Sequence, residues 1–308
     1  MIINTGQRTD IPAFFSDWFY NRISQGFVYV RNPYFNEQIT KYVLNPNVVD
    51  CLSFCTKNPE PMLGRLHEIK EYNQFWFVTI TGYDSDIEPN VPSIDSVIKS
   101  FISLSNIVGS NCVQWRYDPI FLSEKYSIKK HLETFENIAS KLHKYTDTCI
   151  ISFIDFYNST RRFLPQIIEV PIQEQIFICN EMVKIASRYN IRVKTCMEND
   201  ILVETGVDIT GCINKEVLEK ALNIELNIPK LPKLRESCNC LLGNDIGEYN
   251  TCMHKCLYCY ANSNFKEIDN NFYNHNPLSP ILIGEVSDKE KIKNAKQVKY
   301  ATGQFFLF

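Results

Sequence analysis

Residues 252–262 read CMHKCLYCYAN, which places Cys252, Cys256 and Cys259 in a C-x3-C-x2-C run. A structural zinc site closes with four protein ligands, usually arranged as two separated pairs. This trio is instead one compact loop. Such a loop can bind three irons of a 4Fe–4S cluster, which leaves the fourth iron open to a substrate or cofactor. Tyr258, just before the last cysteine, would most simply shield the cluster from water. Cys238 and Cys240 lie upstream as a C-x-C pair. They could ligate a second metal, fill the fourth corner, act as a redox pair or pack beside the loop without touching metal. If one filled the fourth corner, the cluster would be an electron carrier or a structural element. Five clustered cysteines also keep zinc open, with His254 as an extra ligand, although a position inside the turn is the simpler reading of His254.

The other cysteines read mostly as core. Cys51, Cys55, Cys112, Cys149 and Cys179 sit in or beside apolar runs, where a free thiol behaves as a small hydrophobe. Cys196 and Cys212 fall near expected strand ends and could face a pocket, but burial is again the simpler reading. Asp245 and Tyr249 approach the cysteine loop in sequence; with Tyr258 and Asn262 they are the candidate cofactor contacts.

The chain opens MIINTGQRTD, without a basic stretch followed by an apolar one, so no secretory leader is expected. Apolar runs such as CIISFI are far too short to span a membrane. A cytoplasmic location follows as the expectation. There thiols stay reduced, and 12 cysteines point to metal or catalysis rather than to disulfides. A net charge of -3 disfavours nucleic acid as a partner, though a local basic groove would still allow it.

The elements that must position these residues come next. Apolar runs at 1–5, 48–54, 75–81, 111–117, 148–154, 191–196 and 206–210 read as strands buried on both faces of a parallel sheet. Amphipathic segments at 96–109, 124–145, 173–190 and 215–222 read as helices between them, with Val97, Phe101, Leu104 and Val108 at helical spacing. This alternation predicts an α/β fold, a TIM-like (β/α) barrel over residues 1–226. Residues 227–308 form a cysteine-rich metal-binding extension on the barrel mouth, with one more strand at 280–286. In a barrel, chemistry sits where strands end. Arg8 and Asp10, Lys57 and Asn58, Thr81 and Asp84, Arg116 and Asp118, Asp155, and Glu198 all fall there. Fixed cations facing a pocket suit carboxylate or phosphate groups, so a small polar substrate is expected. Arg8, Asp10, Lys57, Arg116, Asp118 and Glu198 are the candidate catalytic residues. The alternative is that these charges cap helices or pair with one another.

The cysteine run, with Tyr258 in its aromatic position, resembles the signature of the radical S-adenosylmethionine superfamily. The resemblance implies S-adenosylmethionine on the open iron, a 5′-deoxyadenosyl radical, and a reductant such as ferredoxin or flavodoxin. Two features depart from it: the motif follows the repeated units instead of the first strand, and no clear Gly-Gly-Glu stretch is present. Over nearly its full length the chain is similar to an uncharacterised bacterial family with an RTDIPAF segment (8–14), a TKNPEPML segment (56–63) and a C-terminal cysteine cluster. A radical enzyme is therefore weighed against a fully ligated iron–sulfur carrier and a zinc-stapled barrel hydrolase. Against zinc hydrolysis, His67, His131, His143, His254 and His275 all lie away from the expected strand ends.

Overall fold

The computed structural model describes residues 1–35, 37–229, 240–241 and 243–305. In chain order the strands among them are β1 (Ile2–Asn4), β2 (Phe27–Arg31), β3 (Gln38–Val43), β4 (Cys51–Thr56), β5 (Gln74–Thr79), β6 (Val113–Ile120), β7 (Thr148–Phe153), β8 (Arg192–Thr195), β9 (Ile224–Leu226), β10 (Asn244–Asp245), β11 (Lys291–Asn294) and β12 (Ala301–Phe305). The helices are α1 (Ile11–Phe14), α2 (Ser16–Gln25), α3 (Glu60–Leu63), α4 (Ile94–Val108), α5 (Ile128–Leu142), α6 (Asn158–Phe163), α7 (Ile172–Ser187), α8 (Lys215–Leu222) and α9 (Phe265–Tyr273).

Seven strands form one sheet in the order β10-β1-β4-β5-β6-β7-β8, and every neighbouring pair is parallel. Alternation along each strand gives the sheet two faces. Leu52, Phe54, Trp76, Val78, Val113, Trp115, Cys149, Ile151 and Val193 enter the larger core. There they meet Phe101 and Leu104 of α4, Phe135 and Ile138 of α5, and Ile178 and Met182 of α7. The intervening residues face a smaller core with Cys51, Phe75, Phe77, Ile150, Cys212 and Leu218. Toward the C-terminal strand ends, that second face turns polar, with Arg116, Asp118 and Ser152 at alternate positions of β6 and β7.

The expected α/β class and parallel sheet are present; closure into a barrel is not detected. The edges of the sheet are β8 and β10. The expected strand at 206–210 contributes a single bridge, Lys194 to Asp208. Gly206 and Gly211, at φ 86° and 101°, turn the chain at either side of it. Nearby, the Leu241 N–H donates to the Ile213 carbonyl at 2.6 Å. The expected strand at 280–286 is likewise one bridge, Tyr29 to Ile281. Residues after 226 are woven into the frame. β10 lies beside β1, β11 beside β3, and β12 is antiparallel to β9. No helix among the described residues is long and apolar enough to cross a membrane.

Candidate functional site

The cysteine loop leaves the main sheet just after β10 and folds back on itself. The Asn250 N–H donates to the Ala261 carbonyl at 2.9 Å, and Asn262 Nδ2 donates to the Cys252 carbonyl at 2.8 Å. Asn250 and Lys255 take left-handed φ values of 54° and 53°, which tightens the turn that carries Cys252 and Cys256. The loop then lies across the ends of several strands. The Leu257 N–H donates to the Ile87 carbonyl at 3.0 Å. From α6, Ser159 Oγ donates to the Cys259 carbonyl and Thr160 Oγ1 to that of Tyr258, at 3.1 and 3.3 Å.

Two side chains of the loop plug into the strand ends. His254 occupies a turn inside the loop, as expected, and is buried. Its Nε2 lies 3.0 Å from Asp10 Oδ2, its Nδ1 is 3.2 Å from the Asn90 carbonyl, and its ring meets Phe14 edge-on at 4.6 Å. Asp10 also accepts from the Ala13 N–H as the N-cap of α1 and from the Lys57 N–H, at 3.0 and 2.8 Å. Tyr258 OH donates to Glu88 Oε1, which also accepts from Lys57 Nζ at 2.9 Å and Thr81 Oγ1 at 2.7 Å. Glu88 is only 4% exposed and was not among the sequence candidates, because it stands beyond the strand end in an ordinary-looking EPN turn. Burial works against the Lys57 ammonium, but Glu88 and Cys256 overcome it and hold its pKa above the ordinary lysine value.

Burial raises the pKa of all three loop thiols. Backbone N–H groups of Ala261 and Asn262 oppose this at Cys259, with Lys57 adding a smaller pull; the His254 N–H does the same at Cys252. Backbone N–H groups pointing at sulfur are what a metal-bound thiolate requires. A single tetrahedral ion with metal–sulfur bonds of about 2.3 Å would draw its sulfurs to about 3.8 Å apart. Among the described residues the loop cysteines do not form a group within 4.8 Å of one another. Asn262 Oδ1, buried beside the loop, has no hydrogen-bond partner, so the site has one acceptor to offer a guest. The three loop thiols are thus a donor set that a 4Fe–4S group could use.

Below the loop the candidate strand-end charges divide into groups. Arg116 binds Asp118 through Nε at 3.0 Å and through Nη2, and Ser152 Oγ donates to the same carboxylate. The partly buried Cys55 has Arg116, Asp10, Asp118 and Lys57 as its charged neighbours, in that order of strength. Cys55 therefore joins the Lys57 and Arg116 groups into one interior. Glu198 accepts from the Phe153 N–H at 2.7 Å. Burial pushes its pKa up to about 8, with Asp118, Asp155 and Cys196 adding to the effect. It lines an open cleft of about 490 Å³ with Glu169, Val170, Ile172, Gln175 and Asn199. Arg8 points elsewhere: it binds Asp245 of β10 at 3.0 Å and lies over the Tyr249 ring at 5.9 Å. Asp84 pairs with Lys125 at the surface.

The second cysteine group was the larger surprise. Cys240 sits 3.1 Å from Cys212, sulfur to sulfur, and Cys196 donates toward Cys212 at 3.7 Å. All three sulfurs lie within 4.8 Å of one another. Cys240 is thus turned toward Cys196 and Cys212, two residues read from sequence as core. Cys238 lies outside the described residues.

A family model described as "Domain of unknown function (DUF1848)" matches residues 2–261. No curated protein matches the chain. Among solved structures, one described as a candidate alpha-L-fucosidase from Bacteroides thetaiotaomicron aligns at 13% identity and a TM-score of 0.29. The alignment covers 53% of this chain and 50% of that one, so the chain spans about half its length.

Proposed function

The chain belongs to the DUF1848 family, and on that premise we propose that it is an iron–sulfur enzyme in which Cys252, Cys256 and Cys259 hold a 4Fe–4S cluster. Three protein ligands would leave a place for S-adenosylmethionine, and the charged residues below, Lys57, Arg116 and Asp118, would bind a small polar substrate. The observation that carries this reading is that Cys252, Cys256 and Cys259 share one loop seated on the strand ends through His254 and Tyr258, while Cys240 faces a different group. Held by Cys252, Cys256 and Cys259, such a cluster would supply one-electron reductive cleavage of the sulfonium of S-adenosylmethionine, with methionine as the leaving group and an external donor returning the electron.

The protein's own residues have distinct parts in this scheme. Lys57 sets a positive charge against Cys256, which offsets the charge of a thiolate there. Glu88, Tyr258, Asp10 and His254 fix the height of the loop over the strand ends. Arg116 and Asp118 present a paired cation and anion to the interior, and Glu198 holds a proton up to about pH 8 at the cleft wall. Asp245, Tyr249 and Asn262 border the loop as cofactor contacts, with Arg8 holding Asp245 in place. The reading includes a TIM-like ring closed through 206–213, 240–241 and 243–245, supported by the Lys194–Asp208 bridge and the Leu241–Ile213 hydrogen bond. It also includes a reducing, cytoplasmic setting with a ferredoxin- or flavodoxin-type donor.

Anaerobic reconstitution tests this. The protein should bind iron and sulfide with broad visible absorbance. S-adenosylmethionine should perturb the paramagnetic signal of the reduced cluster, and dithionite should drive slow release of 5′-deoxyadenosine. Cys256→Ala should abolish that release. A reduced cluster indifferent to S-adenosylmethionine would replace the enzyme with an electron carrier; zinc without iron would remove the cluster altogether.

A further inference from the structure

We propose that Cys196, Cys212 and Cys240 form a second metal site, separate from the loop, for a single thiophilic ion of the zinc class. Their sulfurs are 3.7 Å (Cys196 to Cys212) and 3.1 Å (Cys212 to Cys240) apart, and all lie within 4.8 Å of one another. One tetrahedral zinc with bonds of about 2.3 Å asks for about 3.8 Å between sulfurs. This spacing suits a mononuclear centre. Among the described residues the donors are three soft sulfurs with no imidazole or carboxylate in the group, which selects zinc or copper(I) over magnesium, calcium or manganese.

The surroundings suit thiolates. The Cys212 N–H donates to Cys240 Sγ at 3.3 Å, an outer bond of the kind that orients a metal-bound sulfur. Three thiolates on a divalent ion leave one net negative charge. Arg116 counts Cys196 and Cys212 among its electrostatic neighbours after Asp118, so a fixed cation is already there to balance it. The alternative use of Cys212 and Cys240, as a disulfide, would leave the third thiol, Cys196, without a role in the group.

The placement says what the ion would do. Cys196 follows β8 directly, Cys212 follows Gly211 in its left-handed turn, and Cys240 precedes Leu241, whose N–H reaches the Ile213 carbonyl. One ion would tie these three segments together at the β8 edge of the sheet and anchor the chain that leads on to β10. This site does not depend on the cluster, and its failure reads out separately, as zinc and not iron.

The test is metal analysis of protein purified without chelators, with zinc and iron measured together. Wild type should carry zinc besides its cluster iron, and Cys196→Ser and Cys212→Ser should each lose the zinc and keep the iron. Should a serine variant fail to fold, wild type decides the matter. Zn²⁺ added to metal-stripped protein should slow alkylation of Cys196, Cys212 and Cys240, read by peptide mass spectrometry, more than that of the loop thiols. Zinc lost only with Cys252, Cys256 or Cys259, protection falling on those thiols instead, or a Cys212–Cys240 disulfide with no zinc would each overturn the proposal.

Discussion

Replacing Glu198 with glutamine isolates the electrostatic state of the interior. The amide side chain can keep the Phe153 N–H bond through its carbonyl oxygen, so the substitution chiefly removes the titrating proton. In the folded chain the carboxyl has a pKa of about 8 against an ordinary 4.5, because burial and the neighbouring acids penalise the anion. The folded state therefore keeps a proton that the unfolded chain releases. Stability from this group is complete below about pH 4.5, falls as pH rises, and is gone above about pH 8. At about 1.36 kcal/mol per pKa unit the ceiling is roughly 5 kcal/mol. The side chain lines an open cleft, and solvent screening reduces the expected swing to about 2–3 kcal/mol. Anaerobic urea unfolding of wild type and Glu198→Gln at pH 5, 7 and 9 measures it, since every other titrating group cancels in the difference. Wild type should lose stability relative to the variant across that range. A difference flat to within about 0.5 kcal/mol would refute the assignment.

Two further outcomes test how the loop is seated. Glu88→Gln breaks a buried ion pair and should cost about 3–5 kcal/mol in unfolding, with Tyr258 and Lys57 both losing their anionic partner; a loss under about 1 kcal/mol would show that the Glu88 hub does not hold the loop. His254→Ala leaves Asp10 without one partner and should cost about 1–3 kcal/mol. Its amide exchange should quicken at 250–262 while the β4–β7 strands stay protected, and uniform quickening would mean a general loss of packing instead.

The sheet was legible where one strand's own residues settle the matter. The runs at 48–54, 75–81, 111–117 and 148–154 are apolar on both faces, and they became β4 to β7. The β2–β3 hairpin was not legible, because FVYVR and QITKYV pair locally and carry no turn signal of the usual Asn-Gly kind. The segment at 206–210 reads as a strand in composition but is held between two left-handed glycines, and backbone shape overrides its β-branched content. For the site, C-x3-C-x2-C was legible because its spacing is short. The Cys196, Cys212 and Cys240 group was not, since its members stand 16 and 28 residues apart and each alone looks like a small hydrophobe. The partnership of His254 with Asp10 spans 244 residues, and no local pattern carries that information.

The interior between the two cysteine groups also constrains what could bind there. Its cations are already paired, as the alternative reading of the sequence anticipated, but they are not spent. A guanidinium has five N–H donors; Arg116 commits Nε and Nη2 to Asp118, and its Nη1 makes no hydrogen bond to the described residues. An ammonium has three, and Lys57 gives one to Glu88. A guest that reaches Cys55, between these two, therefore meets spare donors on both sides. Asp118 and Glu88 offer it little, because each carboxylate is already met by a cation and a hydroxyl. On the proposed function, a guest held between Lys57 and Arg116 would be a small molecule rich in acceptors, with carboxylate, carbonyl or phosphate oxygens; a cation would have to desolvate against both side chains without a free counter-charge. On the proposed function, the polar end of the substrate lies toward Arg116 and its remainder toward the loop.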